Sequence, residues 1–226
     1  MELFLRQCDK ALQPEPDMEY YSCVALCALD AVFSIRANYY AVVKPIVERF
    51  CKQYDIENIK APDPHKIPSE SEQLKVSALR KKLKDVTPEQ LAAVVKNHQR
   101  TSTKNGILKA ESFLRYLDVF ETYKIETYQD VNRVYEENPE FEKALKKIPG
   151  QNVAVDYFFM LAGDEDGVKV DTHLTRFAEN AVGHKLSKEE IKQLFADAVD
   201  YYRQNGYPDM TARHLDHIVW SWQRRH

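Results

Sequence analysis

Glycine is scarce in this chain, six in 226 residues, and apolar residues recur at helical rather than alternating spacing. Both features argue against a fold of many short strands and predict an all-α protein. Cysteine is equally thin. Cys8, Cys23, Cys27 and Cys51 all lie in the N-terminal quarter and none forms a CxxC pair, which argues against a disulfide framework or a zinc knuckle and points to a reducing, cytoplasmic home. No stretch approaches the roughly 20 uninterrupted apolar residues that cross a bilayer, and Met-Glu-Leu-Phe-Leu-Arg has no apolar core for a signal peptide, so no membrane role is expected. Positive charge is not in excess either. With a formal net charge of -3, any contact with nucleic acid must come from local basic patches.

What is present is a succession of helices. Residues 21–36 are apolar on most sides, as a helix buried in a bundle reads, apart from Asp30, Ser34 and Arg36, which form either a solvent-facing edge or one wall of a cleft. Cys23 and Cys27 share a face of that helix; two thiols so placed can bind a soft metal, although free cysteine packs as a small apolar residue, and no metal is expected. A second helix over 39–54 should kink or break near Lys44, because Pro45 interrupts it. Residues 61–68 carry three prolines and read as loop. A basic helix is expected over 73–84. Thr87, Pro88 and Gln90 then cap a helix running to about Asn97, and the acid-free connection from Lys96 to Asn105, with Arg100 and Lys104, precedes a helix over 106–122. Either basic run can contact a phosphate backbone. Further helices are expected from about Thr127, over 139–146, over 153–162, from Asp171 to about Val182, from the Ser187 and Glu190 capping box to about Asn205, and from about Thr211 to the end. The acidic loop from Gly163 to Gly167 lacks the spaced ligands of a calcium loop and reads as solvated.

Two stretches carry chemistry. Ile148-Pro149-Gly150-Gln151-Asn152 breaks one helix and starts another, and a turn of this kind binds phosphate where its amides and the next helix N-terminus face outward. Gly150 accepts positive φ, and Asn152 is the best substitute for a second glycine. Asp171 follows Gly150 by 21 positions, in Val170-Asp171-Thr172-His173-Leu174-Thr175-Arg176. It is an ordinary helix N-cap, a role worth about 1 kcal/mol, and also a carboxylate placed beside a phosphate grip. His173 reads as structural.

At these two motifs the chain resembles the helix-hairpin-helix DNA glycosylases of the endonuclease III type, whose hairpin reads roughly Leu-Pro-Gly-Val-Gly-Arg-Lys and is followed by Val-Asp-Thr-His and an arginine-bearing helix. The chain departs from that pattern in three ways. Asn152 stands where the second hairpin glycine belongs, with the spacing to the aspartate one residue shorter. The catalytic lysine position of the bifunctional members falls on Val153 or Ala154, while Lys146 and Lys147 precede the turn. The cluster-binding cysteines of the iron-sulfur members are missing.

The resemblance implies two helical modules, residues 21–163 as a barrel-like module ending in the hairpin and residues 1–20 with 164–226 as the other. It implies double-stranded, damaged DNA as partner, held by Gly150, Gln151 and Asn152 with Lys104 and Lys109 nearby. The damaged nucleotide is flipped into a cleft between the modules, facing Asp171 as the catalytic carboxylate. With no lysine and no cluster the expected enzyme is a monofunctional glycosylase without cofactor or lyase activity. A catalytically inactive DNA-binding relative and a helical protein-interaction module are the competing expectations, and Phe33, Tyr39, Tyr40, Trp220 and Trp222 are aromatic candidates for packing or base recognition.

Overall fold

The computed structural model of the chain describes residues 1–12, 19–150 and 152–225. Among the described residues there are twelve α-helices and no extended strand: α1 (Glu2–Ala11), α2 (Val24–Phe33), α3 (Lys44–Gln53), α4 (Val76–Lys82), α5 (Pro88–Val95), α6 (Lys109–Thr122), α7 (Tyr128–Glu137), α8 (Pro139–Lys146), α9 (Asn152–Leu161), α10 (Thr172–Val182), α11 (Lys188–Gln204) and α12 (Ala212–Arg225). The fold is all-α. None of these helices is long and apolar enough to cross a membrane.

Local sequence explains most helix ends. Thr87, Thr127 and Ser187 each form a full capping box, accepting an amide from the third helical residue while that residue's side chain returns to the cap. Pro45 breaks the expected 39–54 helix where its missing N–H demands: a π-helical turn over Tyr39–Val43 gives way to α3, with the proline in its first turn, where no amide donor is needed. The expected 73–84 helix is shorter than its periodicity suggests. Gln73 stays extended because its buried amide is committed elsewhere, donating to Pro68 O at 2.9 Å and Gln129 Oε1 at 2.8 Å and accepting the Tyr128 amide at 3.0 Å. In that same basic stretch Arg80 is drawn onto α6 by Asp118 at 2.7 Å and Glu121 at 3.1 Å.

The chain divides into two compact units, Met1–Met18 with Asp164–His226, and Glu19–Gly163. In Glu19–Gly163 all ten residues of α2 are buried, against α3, α6 and α9, and Tyr116, Phe120, Phe141, Phe158 and Phe159 form an aromatic cluster beside it. Asp30 and Ser34 are not a solvent edge. Asp30 is 1% exposed and accepts bonds of 2.7 Å from both Tyr21 Oη and Ser34 Oγ, since a carboxylate inside a helical core must be matched by donors. Burial, followed by the Asp30 charge, pushes the Tyr21 phenol well above its ordinary range, so it remains a donor. The four cysteines are buried thiols; Cys27 Sγ lies 2.9 Å from Tyr128 Oη.

In the other unit, α1 packs on α10 and α12. Phe4 is fully buried, edge-on to Phe177 at 5.9 Å and to Phe195 at 5.4 Å, and Tyr202 donates to Asp9 at 2.7 Å.

Candidate nucleic-acid interface and acid site

The turn between α8 and α9 requires its glycine for two reasons. Gly150 has φ +79°, and a Cβ there would lie 2.9 Å from both Cβ and Oγ1 of Thr101. Ile148, just before it, is buried and bonds back to Leu145 O at 3.1 Å, so the turn is anchored while Gly150 itself is exposed. Asn152 is the first residue of α9. Gln151 lies outside the described residues.

Thr101 belongs to the basic connection between α5 and α6, so the glycine turn and the arginine-bearing loop touch. The loop is closed by Thr101 N–H to Ile107 O and Lys109 N–H to Gln99 O, both 2.9 Å, and it packs so closely that a Cβ on Gly106 would overlap the Ser102 backbone. Arg100 donates to Gly106 O at 2.8 Å. From the other side of the unit, Arg36 donates to Thr101 O at 3.1 Å, out of a left-handed backbone with φ +48°. Ile35, Arg36, Gln99, Arg100, Ser102 and Thr103 line an open groove of about 390 Å³. Two guanidinium groups and the Thr103 hydroxyl in one groove are suited to phosphate oxygens, which accept from such donors without base preference, while the Ser102 hydroxyl is committed to Lys104 O. Lys104 is exposed on the tip of the loop.

Lys109 has a different place from the one expected of it. It is 1% exposed, and its ammonium donates to Phe33 O at 3.0 Å, Ile35 O at 2.5 Å and Gln99 Oε1 at 2.9 Å. All three protons are spent on the protein, so a direct phosphate contact by Lys109 is corrected to a role inside the loop's foundation. Burial, and secondarily the Arg36 charge, hold its pKa down to about 8.

The acid site lies in the unit that holds α10. Asp171 caps that helix, its Oδ1 accepting His173 N–H at 2.7 Å and Leu174 N–H at 3.1 Å, and its carboxylate is partly buried. The approach to it is rigid: Val168 and Val170 are buried, and the Asp171 amide bonds to Lys169 O at 2.7 Å. Its neighbour is a second acid. Asp216 on α12 is buried and accepts Lys169 N–H at 3.0 Å, and its carboxyl is pushed well above the ordinary range by burial and then by the Asp171 charge. A helix with Leu215, Ile218 and Val219 as its apolar stripe offers no clue that the intervening acid is also inside; only the packing of residues 168–171 on α12 buries it. A buried carboxyl group raised by burial and by a neighbouring acid is a recurring feature of acid-base sites.

At the position expected for a nucleophilic amine, Val153 is partly buried and Ala154 buried. Beyond Gly163 the acidic loop belongs to the unit that holds α12, where Glu165 meets Arg213 at 3.2 Å.

A family model described as Domain of unknown function (DUF8548) matches residues 2–224. No curated protein matches the chain.

Proposed function

The chain belongs to the DUF8548 family, and we propose that it is a DNA-binding base-excision protein of helix-hairpin-helix type, acting as a monofunctional N-glycosylase on a damaged or mismatched base. The observation that carries this reading is the turn at Gly150. Its left-handed glycine is pressed against Thr101, so the start of α9 and the loop bearing Arg100 and Lys104, to which Arg36 is hydrogen-bonded from beyond α2, belong to one surface. A helix N-terminus and neighbouring guanidinium groups favour the same ligand, a run of phosphates.

In this reading the backbone at Gly150 and at Asn152 holds one phosphate of a duplex, and Arg36, Arg100 and Lys104 engage others. Asp171 does the chemistry. Glycosidic cleavage passes through an oxocarbenium-like state, and a carboxylate near the sugar stabilises that cation and orients or deprotonates the attacking water. Two amides fix Asp171 Oδ1, which holds the carboxylate in one orientation. Val153 and Ala154 supply no amine for a Schiff base, so the product is an abasic site with the strand intact. No iron-sulfur cluster enters the proposal.

The test begins with labelled duplex. Binding should weaken steeply as salt rises, and lack of any binding at low salt would sink every DNA-based reading in favour of a helical protein-interaction module. Duplexes carrying alkylated, oxidised or deaminated bases, heated with alkali after incubation, should break at the lesion in at least one case. Asp171→Asn should abolish that break, about 100-fold or more in rate, while duplex affinity stays within about twofold. Binding without any break across the panel identifies a catalytically inactive relative. A covalent adduct trapped by borohydride would overturn the monofunctional assignment.

A further inference from the structure

Lys109 is the first residue of α6, yet it reaches two separate pieces of chain. Its amide bonds to Gln99 O and its ammonium to Gln99 Oε1, both at 2.9 Å, so residue 99 is held at two points. The same ammonium holds Phe33 O at 3.0 Å and Ile35 O at 2.5 Å, at the end of α2. Ile35 is the residue before Arg36, whose left-handed backbone is strained for an L-residue unless its surroundings fix it. Ile35 and Gln99 also line the groove that Arg36 and Arg100 share. The groove's two sides, more than sixty residues apart in sequence, are therefore bolted together beneath its floor by one buried side chain.

We propose that Lys109 is the positioning residue of this groove: by gripping the end of α2 and Gln99 together, it presents the Arg36 and Arg100 guanidinium groups as one bidentate site for the phosphates of a nucleic-acid strand. The proposal rests on the DNA-binding reading for its ligand, and on the hydrogen-bond geometry alone for its architecture. Methionine at 109 fills the same volume but leaves three carbonyl oxygens without a donor, which releases Arg36 from its corner and Gln99 from α6. Arg36 and Arg100 are then still present, but no longer held toward a common strand.

The experiment compares native protein, Lys109→Met, Gln99→Ala, the double variant Arg36→Ala with Arg100→Ala, and that double variant carrying Lys109→Met. The probe is a fluorescent unmodified 20-base-pair duplex, titrated over a salt series, with amide hydrogen exchange read on the free proteins. In Lys109→Met the Thr101 and Ala37 amides, bonded to Ile107 O and Ser34 O, should exchange at least tenfold faster while Val199 on α11 keeps its native rate. Duplex affinity should fall about tenfold, and the slope of log affinity against log salt should shrink by about two, one for each lost phosphate contact. Added to the double arginine variant, Lys109→Met should change affinity by less than twofold, because it acts only through those two side chains. Unchanged exchange in Lys109→Met, or a further tenfold loss on the double-arginine background, overturns the proposal. Should Lys109→Met fail to fold, Gln99→Ala decides: the same changes at smaller size support the proposal, and native exchange and affinity refute it. If the native protein binds no duplex, the DNA reading falls by itself, and with it the ligand assigned to the groove, while the exchange rates still decide whether Lys109 builds it.

Discussion

A carboxyl group as deeply buried as that of Asp216 is expensive to ionise, and the charge of Asp171 nearby makes it more so. Its folded pKa therefore lies above the unfolded value of about 4, and between those two values the folded state holds more protons than the unfolded chain. Stability contributed by Asp216 is present below pH ~4 and is lost as pH rises through the folded pKa. Asparagine keeps an acceptor for the Lys169 amide and cannot ionise. Asp216→Asn is thus expected to be more stable than the native protein at pH 7, by about 0.5–2 kcal/mol in urea unfolding, with the difference vanishing below pH ~4. A native protein that is the more stable of the two at pH 7 would contradict this account.

Among the elements, the turn between α8 and α9 has a sequence and a packing that demand the same residue. Gly150→Ala forces a Cβ into a backbone at φ +79° and against Thr101. Left-handed strain for alanine is roughly 1–2 kcal/mol, and the close contact adds to it because Thr101 is itself pinned by Ile107 O and Arg36. The expected loss is about 2 kcal/mol by circular dichroism in urea, with duplex affinity reduced several-fold; an alanine variant with native stability would show that the turn relaxes freely. Short-range rules were sufficient for most other elements. The caps at Thr87, Thr127 and Ser187, the break at Pro45 and the Asp171 cap all depend on residues within four positions of each other, and all were legible. Gln73 was misread as helical because the groups that hold it extended, Pro68 O and Gln129, are brought to it by the fold.

For the molecule as a whole, the unit containing Asp171 is assembled from both ends of the chain. Phe4 supplies a fully buried ring to α10 and α11, and both tryptophans of the protein, Trp220 and Trp222, lie on α12 of this unit. Tryptophan fluorescence therefore reports on one unit, while far-ultraviolet circular dichroism reports on both. Phe4→Ala should destabilise this unit by about 3–5 kcal/mol, the usual cost of emptying a buried phenylalanine site. Its fluorescence transition should move to lower urea than the dichroism transition. Coincident transitions at the native midpoint would mean that α1 contributes little to the unit's stability.

By itself the sequence determined the helical class, most helix termini, the glycine turn and the aspartate cap, because each follows from periodicity, capping or backbone sterics among near neighbours. Tertiary structure alone decided which charges work together. Lys104, Lys109, Arg36 and Arg100 look equally solvent-facing in a linear reading, but Lys109 ends beneath the groove, Arg36 crosses to Thr101, and Asp216 is drawn inside beside Asp171. The physical reason is that burial of a charge depends on which carbonyls, amides and opposing charges surround it in space. Those partners lie up to 76 positions away along the chain, beyond the reach of any helical repeat.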